Sequence, residues 1–295
     1  MVSRPHFRRF LLLVSLVLMG QVLTAGKPPE AANRATVDVW VSDTLARSNR
    51  SVRIESRVVE TGILGAQGVG GERVALWVDH VQVATGLTGG DGRAYFEYQP
   101  RRIGLFPMKV VVAESPRVGE AVGTGTLAVW ERRRSILLVE SRVLLDPESP
   151  GPASGLSGFG FSTDMTAMTP NPNAAEELGR LSQFYYNLIY LVPIDGDGGA
   201  RLGALRTWLT THRFPPGVVL PVSHTTAGLE ELIIRLKAAG WDNLKAGVGR
   251  TPMFAQALVA QRLTVAVVAD ESRETYPRRA RRAKDWKTAR KYLQD

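Results

Sequence analysis

The stretch RRRSILLVESRVLL, residues 132–145, is where the chain changes its period. Ile136 to Val139 run without a polar interruption, as in a strand buried on both faces of a parallel sheet. Upstream, apolar and polar residues alternate. Downstream, apolar runs of strand length alternate with segments of helical period. The sequence therefore predicts two domains: an all-β sandwich over residues 36–130 and a three-layer α/β domain with a parallel sheet over 131–295.

The alternation begins at TVDVWVS (36–42) and continues through SVRIESRVVE (51–60), ERVALWVDHVQVATG (72–86), RAYFEYQP (93–100), FPMKVVVAE (106–114) and GTLAVWE (125–131). Period two with Gly, Pro and Asp between short runs indicates antiparallel strands. GGDGR (89–93) reads as a tight turn feeding one of them. Trp40, Trp77 and Trp130 sit at strand positions, so each is either core or part of an exposed ligand platform.

Downstream, NAAEELGRLSQFY (173–185) reads as a helix with Asn173 as its N-cap. NLIYLVP, GVVLPVS, NLKAGVG and TVAVVAD read as strands. Between them lie helices at GGARLGALRTWLTTHRF, TAGLEELIIRLKAAGW and TPMFAQALVAQRL, the last capped by Thr251 with Pro252 in its first turn. The basic segment RRARRAKDWKTARK (278–291) reads as a final helix, and residues 146–173 as a long loop.

The first 26 residues read as a secretory signal peptide, with Arg4, Arg8 and Arg9 before the apolar FLLLVSLVLMGQVL and small residues near Ala25. An uncleaved anchor is the alternative, and KPPEAANRA (27–35) is a linker. The expected location is exported: periplasmic or extracellular, with membrane association through an uncleaved signal or the basic tail. The chain has no cysteine, which excludes disulfides, thiolate metal sites and cysteine nucleophiles, and fits a bacterial periplasm. The net charge of +9 is local: Arg4, Arg8 and Arg9 give +3 within the first 26 residues, and eight basic residues against Asp285 give +7 within 278–291, which leaves about −1 for the rest. Anionic lipid headgroups or an envelope protein are the expected partners, and nucleic acid is not.

Residues 36–130 resemble bacterial immunoglobulin-like repeats, on Thr88, Gly92, Ala94, Phe96, Gly104 and Phe106. Residues 132–292 resemble the lipin-like phosphatidate phosphatases of the haloacid dehalogenase superfamily. That resemblance rests on the order of elements and on LRTWLTTHRFPPGVVL followed by Ser223-His224. It implies a Rossmann-like sheet with chemistry at the carboxyl ends of the strands.

The family's chemistry needs four groups, and the sequence departs from each. The nucleophile and general acid, an Asp-x-Asp pair, fall on Val139, Glu140 and Ser141. Glu140 would point to the opposite face from its neighbours. The phosphate-binding hydroxyl falls on Pro193 and Asp195, the lysine on Thr225, and the Mg²⁺-holding acid near Arg250. Phosphoryl transfer without metal or lysine leaves the transition-state charge unbalanced. The expectation is a pseudoenzyme with a binding or scaffolding role and no cofactor. Two alternatives stay open. One is a divergent Mg²⁺-dependent phosphatase using Asp195, Asp197 and Asp270. The other is an adhesion or assembly module acting through the sandwich. Candidate ligand contacts are Ser223, His224, Arg250 and Thr251, the last two through backbone N–H groups at a helix start. Candidate lipid contacts are Arg278, Arg279, Arg281 and Arg282.

Overall fold

A strand that buries one face must alternate, and the N-terminal half of the chain does so. The computed structural model describes residues 34–62, 65–147, 168–194, 198–268 and 275–294. The first nine strands are β1 (Asp38–Val41), β2 (Thr44–Ala46), β3 (Val52–Gly62), β4 (Gly65–Gly68), β5 (Arg73–Val78), β6 (Val81–Leu87), β7 (Arg93–Tyr98), β8 (Gly104–Val112) and β9 (Ala121–Val129). One sheet pairs β3 with β1, β4 and β7; the other runs β2-β9-β8-β5-β6. All pairs are antiparallel except β2 with β9. This is an immunoglobulin-like sandwich. Its inward face takes every second residue: Ile54, Ser56 and Val58, Val74 and Leu76, Ala94 and Phe96, Val110 and Val112. Asp79 and His80, both at positive φ, turn the run of residues 72–86 into the β5–β6 hairpin.

The remaining strands are β10 (Ser135–Glu140), β11 (Tyr186–Pro193), β12 (Val218–Val222), β13 (Leu244–Gly249), β14 (Thr264–Val268) and β15 (Arg281–Ala283). They form one parallel sheet in the order β12-β11-β10-β13-β14-β15. The helices are α1 (Ala174–Phe184), α2 (Gly199–Thr211), α3 (Thr226–Ala238), α4 (Pro252–Ala260) and α5 (Trp286–Gln294). Leu137, Val139, Leu188 and Tyr190 face α1, α2 and α5, whereas Ile136, Leu138, Ile189 and Leu191 face α3 and α4. Both faces are covered, which is why these strands lack alternation. No helix among the described residues is long and apolar enough to cross a membrane.

The sandwich and the α/β layers share packing. Ala128 and Trp130 belong to the same buried cluster as Ile136 and Ile233, and Trp130 meets Trp241 edge to face at 6.4 Å. Trp40 lies so close to Gly199 that a Cβ there would fall 2.2 Å from its ring. Of the three candidate platform residues, Trp130 is core and Trp40 packs on α2, while Trp77 carries Lys109 over its ring.

Two local expectations change. Asn173 does not cap α1 with its side chain; it adopts a left-handed conformation with φ 62°. The basic segment is not all helix. Arg281–Ala283 within it form the edge strand β15, because Ala283 fills a place in the core beside Ala266 and Val268, and the helix begins only at Trp286.

Candidate functional site

The chain runs from β10 to β11 and β12 in one direction, then from β13 outward in the other. In such a sheet, ligands bind outside the carboxyl ends of the two strands where direction reverses. Here those ends are Glu140 on β10 and Gly249 on β13, followed by Arg250, Thr251 and the start of α4.

The crevice is occupied by the chain itself. Glu140 is buried, and its Oε2 accepts the backbone N–H groups of Arg250 at 2.6 Å and Thr251 at 3.0 Å. Its Oε1 accepts the Thr251 hydroxyl at 2.7 Å. That hydroxyl in turn accepts the Phe254 N–H at 3.2 Å, as an N-cap does. The carboxylate therefore sits where a helix start favours an anion. Gly249 makes the approach possible, since a Cβ there would lie 2.7 Å from Glu140 Oε2 and 2.3 Å from the Phe254 ring. A 3₁₀ turn, Ser141–Leu144, follows β10 and is largely buried. Arg250 Nη2 donates to the Leu145 carbonyl at 2.9 Å, and the Tyr276 hydroxyl donates to the Arg250 carbonyl at 2.7 Å.

The other expected positions disperse. Val139 lies in the core on the α1–α2 face, opposite to Glu140, and Ser141 is buried in the 3₁₀ turn. Pro193 is the last, buried residue of β11. Thr225 caps α3, accepting the Gly228 N–H at 3.0 Å, with Ser223 Oγ 3.4 Å from its hydroxyl. Ser223 and half-buried His224 follow β12, three strand positions from β13, or about 14 Å across the sheet. They do not join Arg250 and Thr251 in one site. Asp195, Asp197 and Asp270 lie outside the described residues. Among the described residues no group of three or more His, Cys, Asp or Glu is arranged to hold a metal.

The aromatic-rich helix that carried the resemblance does packing. Trp208 stacks on Phe214 at 5.2 Å and donates Nε1–H to the Met168 carbonyl. The Tyr190 hydroxyl, its acidity suppressed by burial, donates to the Pro215 carbonyl at 2.7 Å.

The basic segment divides by role. Arg290 turns inward to Glu177, a buried carboxylate that Arg180 also meets at 3.1 Å. Arg278, Arg279, Arg281, Arg282, Lys284, Lys287 and Lys291 are exposed. Arg281 lies over the Tyr292 ring and Arg282 over that of Tyr276. Trp286, Ala289 and Leu293 anchor α5 in the core. Asp285 accepts the Thr288 N–H at 2.7 Å, and its bonds to Thr288 hold its pKa below the ordinary value.

A further polar cluster has no signal in the sequence. Asp43, between β1 and β2, accepts N–H groups from Thr126 on β9 and Val219 on β12, each at 2.8 Å. Arg206 on α2 lies 3.0 Å from it and donates to the Val41 and Thr124 carbonyls. Burial raises the Asp43 pKa, against the pull of Arg206 and the two N–H groups. The cluster ties the sandwich to the edge of the parallel sheet.

No family model and no curated protein matches the chain. Solved structures resemble parts of it. The CARDB domain of a Pyrococcus furiosus protein, solved with di-metal ions, is 19% identical over 34% of this chain and 97% of its own, with a TM-score of 0.24. Fibronectin(III)-like modules from Clostridium thermocellum are 16% identical over 32% of this chain and 47% of theirs, at 0.23. A Bacteroides uniformis β-glucuronidase is 10% identical over 78% of this chain and 35% of its own, at 0.29. Scores this low leave the fold to be read from the strand pairing above.

Proposed function

We propose that this is an exported, catalytically silent relative of the haloacid dehalogenase phosphatases with a binding or scaffolding role at the cell envelope. The observation that carries this reading is Glu140. A phosphoryl group at the switch point would need the N–H groups of Arg250 and Thr251, and a carboxylate of the same sign already holds both. The four motif positions support it: a core valine, a buried proline, a helix cap and an arginine stand where the reaction needs acids, a hydroxyl and a lysine.

The test is turnover. Residues 27–295 are assayed with p-nitrophenyl phosphate and with phosphatidate vesicles, with and without Mg²⁺, beside Asp195→Asn. The expected result is no metal-dependent hydrolysis. Mg²⁺-dependent turnover abolished by Asp195→Asn would restore the divergent phosphatase.

Anionic lipid is the partner that the exposed arginines of β15 favour, since each basic residue near such a surface adds about 1 kcal/mol. Deleting the segment would not test this, because Trp286 and Leu293 are core. Charge reversal at the exposed arginines tests it instead.

A further inference from the structure

At the opposite end of the parallel sheet from Glu140, a cleft of about 430 Å³ opens between the sandwich and the α/β layers. Its walls include Leu105 from the sandwich, Trp130, Glu131 and Arg134 from the connection, and Tyr186 and Pro216 from the amino ends of β11 and β12, so one carboxylate stands beside the arginine. The neighbouring Phe184 and Tyr185 are exposed and meet edge to face at 6.4 Å. Junctions of this kind are where small-ligand sites concentrate.

Arg134 distinguishes the cleft from a packing defect. Its Nε and Nη2 are both shielded from solvent, and neither has a hydrogen-bond partner. Those two nitrogens form one edge of the guanidinium, the fork that binds an oxyanion with two parallel bonds. Buried donors are nearly always satisfied, so a whole orphaned fork calls for an explanation. The Arg134 backbone is tied to the start of β13, since its carbonyl accepts Asn243 Nδ2–H at 2.5 Å.

We propose that this cleft binds a small organic anion, its carboxylate or phosphate taken bidentately by Arg134 and its apolar or planar body held against Trp130 and Tyr186. An oxyanion facing the fork would supply two charge-assisted bonds that no protein group makes to it. The proposal is independent of the fate of the switch-point crevice.

The probes are benzoate and phenyl phosphate, with neutral benzyl alcohol as control, read by saturation-transfer NMR and by thermal midpoint on the full mature chain. Binding of both acids in the millimolar range is expected, as befits ligands of this size. Whichever binds more tightly separates carboxylate from phosphate. Arg134→Met should weaken the acids at least tenfold while leaving the ligand-free midpoint unchanged or higher, because it removes unsatisfied donors. Arg134→Lys should fall between. Equal binding by Arg134→Met would overturn the proposal, as would binding by neither acid. A lower midpoint in ligand-free Arg134→Met would also overturn it, by assigning the fork to the fold.

Discussion

Replacing Glu140 tests the self-occupied crevice directly. In Glu140→Ala the N–H groups of Arg250 and Thr251 and the Thr251 hydroxyl lose their acceptor together. A hydrogen bond to a charged group contributes roughly 1.5–3 kcal/mol, and a buried donor left bare costs about 1–3 kcal/mol. The three bonds share one acceptor and do not add fully. Thr251 still caps α4 through Phe254. A loss of about 3–5 kcal/mol follows, in line with removing one partner of a buried charged contact. Glu140→Gln keeps one acceptor oxygen and should lose about 1–2 kcal/mol. Urea unfolding followed by circular dichroism reads these as midpoint shifts at constant slope. In thermal melts the alanine variant should fall by roughly 6–20 °C for a chain of this size. Formate at about 0.1 M should restore part of the loss in Glu140→Ala and nothing in the parent, with chloride at equal ionic strength as control. If both variants stay within about 0.5 kcal/mol of the parent, the carboxylate is a spectator and the reasoning fails.

Three further outcomes are expected. Gly249→Ala should destabilise by roughly 1–3 kcal/mol through its collision with Phe254 and Glu140, and Glu140→Ala should relieve part of that in the double variant, measured by a double-mutant cycle. Asp43 has its folded pKa raised above 3.8, so the folded state holds the proton more firmly than the unfolded chain. Its contribution is complete below the unfolded pKa and is lost as pH rises through the folded one, so Asp43→Asn should gain on the parent across that window in stability-versus-pH curves. Reversing Arg278, Arg279, Arg281 and Arg282 to Glu should abolish co-sedimentation with phosphatidylglycerol liposomes at low salt while leaving the thermal midpoint within a few degrees; unchanged binding would remove lipid from the proposed partners.

The parts of the fold that were legible are those whose cause is local. A strand between water and core alternates whatever its partner, so Ile54, Val58, Leu76 and Phe96 could be placed by period. The same holds for the apolar face Leu229, Leu232, Ile233 and Leu236 of α3. Contacts between distant residues were not legible. Glu140 and Thr251 are 111 residues apart, and Asp43 and Val219 are 176 apart. A lone acid ending an apolar strand, with a Gly-Arg-Thr-Pro helix start elsewhere, is the only trace of the first pair. The second left none, since Asp43 reads as an ordinary turn residue. Tertiary context also overrode two local signals. Asn173 sits in a left-handed bend, and Arg281–Ala283 extends the sheet instead of beginning the last helix.

The parallel sheet has two edges, and neither offers a free template for another chain. On one side Asp43 takes the Val219 N–H, so the sandwich covers β12. On the other, β15 is only three residues long and carries Arg281 and Arg282 outward. Short length and positive charge are the usual defences of an exposed strand. The arginines discussed as lipid contacts therefore have a second consequence: substitutions that neutralise them would leave β15 open to strand addition, and the protein would be expected to self-associate at concentrations where the parent stays monodisperse.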